Sequence, residues 1–126
     1  MTRELLACIA DRMRQIGIPY QYETYHTDGK LPDPYFVGHC SSTPNLNEDG
    51  KLSGTFLLTG TSTSWSKLED AHKQILLAFP RVSGLRGGGD GYLLFINYAN
   101  AIAVPTDDAK IKRMQINLNY QEWSVE

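Results

Sequence analysis

The chain has 126 residues, 12 lysines and arginines against 14 aspartates and glutamates, and a formal charge of −2. That length suits one domain spanning residues 1–126, able to bury roughly two-thirds of the surface its unfolded chain exposes. Its basic residues are scattered apart from Lys110, Lys112 and Arg113, so there is no electrostatic footprint for sequence-specific nucleic-acid binding, and no uncharged apolar run reaches the length that spans a bilayer. Met1-Thr2-Arg3-Glu4 carries no apolar signal region, and Cys8 and Cys40 alone establish no disulfide framework. Reduced cysteines in a cytosolic, non-membrane protein are the expectation.

A first helix is expected from about Arg3 to Ile16. Thr2 is its N-cap candidate, Glu4 lies in the first turn, and Leu5, Leu6, Ile9, Met13 and Ile16 form an apolar stripe. Gly17 supplies the stop and Pro19 follows it. Tyr20 to Tyr25 alternates aromatic and polar residues, as a strand with one wet face does. His26 to Pro34 contains Asp28-Gly29, Pro32 and Pro34, which predicts a loop, and Tyr35 to Cys40 predicts a short strand. A polar stretch from Ser41 ends in the turn chemistry of Asn47-Glu48-Asp49-Gly50, and Leu52 to Thr63 reads as the partner strand.

The stretch Ser66 to Pro80 is the strongest local signal. Ser66 and Glu69 have capping-box spacing, and Leu68, Ala71, His72, Ile75, Leu76 and Phe79 build one helical face that Pro80 terminates. Arg81 to Gly91 includes Gly84, Gly87, Gly88, Gly89 and Gly91, which predicts a flexible or tightly folded loop. Tyr92 to Tyr98 is the most apolar run and is expected as a central strand buried on both faces. Asn100 to Pro105 either extends it past a bulge or forms a short neighbour. Lys112 to Trp123 alternates cleanly, with Met114, Ile116, Leu118 and Tyr120 on one side. The order is α-β-β-β-α-β-β: an α+β fold with a mainly antiparallel sheet, sequence neighbours pairing as hairpins, and both helices on one face.

No motif announces chemistry. His39-Cys40, His26, His72 and Cys8 lack the paired spacing of a zinc site, and adjacent His39 and Cys40 would point to opposite faces of a strand. The glycine-rich segment 84–91 precedes a strand, not a helix, and matches no phosphate-binding fingerprint. The carboxylates Asp28, Asp33, Glu48, Asp49, Asp90, Asp107 and Asp108 all fall in expected loops, and no pair stands out for acid–base work. No cofactor, metal or catalytic residue is therefore expected. The aromatic residues exceed the needs of one small core, which favours self-association, and Trp123 is either an interface anchor or folds back on its own sheet.

Three segments carry a resemblance: the opening helix Thr2 to Met13, the strand entry Asp33-Pro34-Tyr35-Phe36-Val37, and Gly54-Thr55-Phe56-Leu57-Leu58 leading into the Ser66–Phe79 helix. With the element order, they resemble the tail terminator, or tail completion, proteins of long-tailed bacteriophages and prophages. The resemblance implies a non-enzymatic structural protein of the virion tail, assembled in the host bacterial cytoplasm. It also implies a hexameric ring that caps the tail tube and meets the head–tail connector. Candidate interface residues are then Trp123, Tyr25, Asp28, Glu48, Asp49, Gly87, Gly88 and Gly89, with Glu48 and Asp49 placed to line a channel by charge repulsion. The rival readings are another phage neck or head–tail joining protein, and a small hydrolase or nucleotide-binding domain using the glycine-rich loop 84–91.

Overall fold

The computed structural model describes residues 3–40, 45–46, 51–89 and 91–124. Thr2 and the Asn47–Gly50 turn lie outside the described residues. Helix α1 (Arg3–Gln15) buries Leu5, Ile9 and Met13, each four residues from the last, against the sheet. Gly17, at φ 74°, is the left-handed residue of a helix-closing motif in which the Gly17 N–H bonds the Arg14 carbonyl and the Ile18 N–H reaches back to Met13.

Helix α2 (Trp65–Ala78) buries Leu68, Ala71, Ile75 and Ala78, followed by Phe79. Its start differs from expectation. Ser66 lies inside the first turn, and Ser64 occupies the N-cap with extended backbone and no side-chain cap bond. The chain entering α2 is instead held by Ser62 Oγ, which accepts from the Ser64 N–H at 3.1 Å, and by Asp33.

Among the described residues seven strands make one sheet: β1 (Tyr20–Tyr22), β2 (Tyr35–Cys40), β3 (Asn45–Leu46), β4 (Lys51–Ser62), β5 (Leu85–Gly89), β6 (Tyr92–Val104) and β7 (Lys112–Ser124). They run in the order β1-β2-β4-β7-β6-β5, with β3 also paired to β4. The α+β class and the order of helices and strands are as expected. Antiparallel pairing of neighbours holds for β3–β4, β5–β6 and β6–β7, and β2 pairs with β4 as expected, but β1 runs parallel to β2, and β4 also lies beside β7, far from it in sequence.

Two expected elements are corrected. The first strand stops at Tyr22, where Glu23 takes φ 68° and turns the chain. The glycine-rich segment is a paired strand, with Gly87 opposite Leu94 and Gly88 opposite Leu93. Pairing the backbone with β6 satisfies groups that a glycine loop would leave to water, and that gain outweighs glycine's entropic cost.

Both helices cover one face. Phe36, Phe56, Leu58, Leu94, Ile96, Tyr98, Met114, Ile116, Leu118 and Tyr120 point into that core, and their sequence neighbours point to the other side. The β6 run is therefore not buried on both faces, since Leu93 is 62% exposed. A bulge at Ala99 shifts the β6–β7 register between Tyr98 and Asn100 and carries the strand on to Val104, the first of the two options for residues 100–105. Rings lie close against glycines across the core face: Phe36 against Gly60 and Tyr120 against Gly54, each its direct cross-strand partner.

Candidate functional site

The uncovered face of the sheet is built from residues that alternate with the core. β7 contributes Arg113, Gln115, Asn117, Asn119, Gln121 and Trp123; β4 contributes Lys51, Ser53, Thr55, Leu57, Thr59 and Thr61. β6 adds Leu93, Phe95, Asn97, Asn100 and Ile102. The amides partly satisfy one another: Asn117 Nδ2 donates to Asn100 Oδ1 at 2.5 Å, and Gln115 Nε2 donates to Asn117 Oδ1 at 3.0 Å. Among the described strand residues on this face the formal charges are Lys51, Arg86 and Arg113, all positive.

One corner is different. Lys51, Trp123, Leu93 and Gly88 form a row across β4, β7, β6 and β5, and the next row holds Gln121, Phe95 and Arg86. Arg86 holds its guanidinium 5.8 Å from the Phe95 ring centre, and Lys51 Nζ stands 5.5 Å from that of Trp123. Together Arg86, Leu93, Phe95, Gln121 and Trp123 line a shallow hollow of about 390 Å³. Trp123 thus folds onto its own sheet while keeping one side in this hollow. Three of the candidate interface residues, Trp123, Gly87 and Gly88, meet here, with Gly89 beside them on β5.

Tyr25 and Asp28 do not join them. Tyr25 packs its ring 5.1 Å from Tyr35 beyond β1, at the opposite edge, where with Arg14, Ile18 and Tyr20 it borders a second hollow. Five strand spacings of about 4.8 Å separate the two edges by roughly 24 Å. Asp28 lies in the exposed loop that follows. Glu48 and Asp49 lie outside the described residues.

Two polar centres stand apart from these edges. Asp33 accepts hydrogen bonds from the Ser62 hydroxyl, from Thr63 Oγ1 at 2.5 Å, from the Thr63 N–H at 3.3 Å and from Lys67 Nζ at 3.3 Å. The two hydroxyl bonds hold its carboxyl well below the usual carboxylate range. This carboxylate fastens the chain before β2 to the β4–α2 turn. On α2, His72 Nε2 lies 2.8 Å from Tyr98 Oη and His72 Nδ1 lies 3.7 Å from Glu69, which ties the helix to β6.

Burial raises the Cys8 thiol and the Tyr20 and Tyr120 hydroxyls, which disfavours their ionised forms. None of them is poised as a nucleophile. Among the described residues no three His, Cys, Asp or Glu side chains gather as metal ligands, and no helix is long and apolar enough to cross a membrane. Sequence reasoning missed Asp33 as a hub, because a loop acid next to proline looks solvated. It also missed Arg86, Leu93 and Phe95 as a cluster, because they meet only through the β5–β6 pairing.

No protein-family model matches the sequence, and no curated protein does either. Among solved structures, a chain of the virion of a native gene transfer agent particle superposes with a TM-score of 0.64 at 14% identity, over 94% of this chain and 88% of that one. A second solved structure, which carries no functional name, reaches a TM-score of 0.67 at 13% identity, over 100% and 99% of the two chains. At these identities the likeness establishes the fold.

Proposed function

We propose that this is a non-enzymatic virion-assembly protein of a phage or prophage. In the finer form of this reading it is a tail terminator: it forms a homo-oligomeric ring on the finished tail tube and meets the head–tail connector. The observation that carries the proposal is the fold shared across 94% of the chain with a component of a gene transfer agent virion. The resemblance of the opening helix, the Asp33–Val37 entry and the Gly54–Leu58 strand to terminators points the same way.

The surface supports an assembly role. Among the described residues a sheet braced by two helices leaves one face uncovered, and that face mixes amides, hydroxyls and a few aromatics, a composition suited to contacts made in solution and buried later. The nucleotide-binding rival loses its main support, because Gly87 and Gly88 are paired in a strand and do not cradle the start of a helix.

Deleting the gene from the particle-producing genome and imaging the particles tests the reading. A terminator's loss yields tails of uncontrolled length without heads. Tails of normal length that fail to join heads would favour the neck-protein reading, and normal joined particles would refute both.

A further inference from the structure

The two edges of the sheet are not equivalent. β1 has three residues, Glu23 turns the chain away at φ 68°, and the Gln21 side chain is engaged by the His26 backbone through bonds of 2.7 and 2.9 Å. Short length, a turn and an occupied side chain are the ordinary means of closing an edge. β5 is longer, and its one edge charge, Arg86, is laid over Phe95 on the open face. Its five residues, Leu85-Arg86-Gly87-Gly88-Gly89, pair with β6 alone among the described residues, and its outward backbone groups face a side with no proline or bulge.

From this asymmetry and the neighbouring hollow, we propose that the free edge of β5 accepts an extended segment of a partner protein as an added antiparallel strand. Main-chain bonds to β5 supply its affinity, and two side chains on the open face supply its specificity. One sits beside Arg86, which is exposed and held over the rim by Phe95. With Lys51 and Arg113 as the other charges on that face, the complementary side chain is acidic. The other sits beside Gly88, where the Leu93 side chain lies over the backbone, Cδ2 standing 3.0 Å from where a Cβ would be, with Trp123 behind it. An apolar side chain at that position packs on Leu93, which is 62% exposed at the rim of the hollow.

In an antiparallel addition the residue opposite Gly88 precedes the residue opposite Arg86 by two, so the segment has the pattern apolar-x-acidic. The same geometry rejects a lysine at the acidic position. This inference stands apart from the virion reading, since it concerns the shape and charge of one edge and holds for a partner in any assembly.

The test uses the full chain and a capped peptide, acetyl-Thr-Val-Phe-Thr-Asp-Val-Thr-amide, followed by Trp fluorescence and by amide exchange. Binding is expected to protect the β5 amides. Arg86→Glu is expected to weaken this peptide about five- to tenfold and to favour the version with Lys in place of Asp. On the unaltered protein, N-methylating one alternate set of peptide amides is expected to abolish binding while the other set tolerates it, because alternate N–H groups face the sheet. Absence of binding, equal affinity for both N-methylated sets, or an Arg86→Glu variant with unchanged preference overturns the proposal. So does concentration-dependent protection of β5 without peptide, which would identify a second copy as the occupant.

Discussion

Replacing Gly60 with alanine probes the packing on which the sheet's core face depends. A Cβ built on Gly60 lies 2.5 Å from Phe36 Cζ, whereas carbon atoms rest at about 3.5–4.0 Å, so the ring must move by roughly 1 Å. Phe36 is fully buried, and displacing a ring in a filled core costs about 2–3 kcal/mol. Against this, alanine restricts the unfolded chain and returns about 0.4–1 kcal/mol. The expected net loss is about 1.5 kcal/mol, which at the entropy typical of a chain this size lowers Tm by about 6 °C. Urea denaturation of the variant beside Gly29→Ala measures it, because a Cβ at Gly29 meets nothing within 4 Å and that change is expected to be neutral or slightly stabilising. A Phe36→Leu background is expected to shrink the Gly60→Ala penalty, since a smaller side chain can yield. Equal stability of the two glycine variants would refute the packing argument.

Two further outcomes are expected. Asp33 has its pKa lowered by hydrogen bonds present in the fold, so its ionised form contributes fully above the unfolded-state value of about 3.9 and that contribution is lost as pH falls through the lower folded value. Asp33→Asn should therefore lower the urea midpoint most at pH 7, with the gap to the parent closing below about pH 4; a gap constant from pH 7 to pH 2 would show that the carboxylate's charge is not what matters. Tyr20 Oη is buried without a hydrogen-bond partner among the described residues, so Tyr20→Phe should be neutral or raise stability by up to about 1 kcal/mol, and a clear loss in calorimetry would reveal a bond to that hydroxyl.

The helices were legible because their signals are local. Leu5, Ile9 and Met13, and Leu68, Ala71 and Ile75, declare their faces by spacing, and Gly17 declares its end. Strand β7 was legible for the same reason, since period-two alternation from Met114 to Tyr120 shows one wet side. What failed was information that belongs to pairing. The apolar run of β6 suggested burial on both faces, yet Leu93 is largely exposed, because nothing in a single strand shows that a sheet is covered from one side. The glycines of β5 carry the composition of a loop, and only the facing strand makes them a strand. The candidate residues divided likewise: Trp123, Gly87 and Gly88 meet through strand order, while Tyr25, chosen on the same aromatic grounds, stands at the far edge.

The bulge at Ala99 explains how one strand serves both the core and the open face. Up to Tyr98 the even-numbered residues of β6 face the helices; after Ala99 the odd ones do, so Ala101 meets Ile116 and Asn100 meets Asn117. If the strand instead ran on regularly, with Ala99 opposite Asn117, Asn100 and Ile102 would turn inward, and Asn100 would lose the 2.5 Å bond from Asn117 and bring an amide toward the core. An unpaired buried amide costs about 1–3 kcal/mol, more than the small alanines could recover by facing out. The bulge therefore keeps small residues where the helices end and polar ones on the exposed face. It is the device that extends the amide-bearing surface along the full length of β6, and with it the area that a partner laid on this sheet would meet.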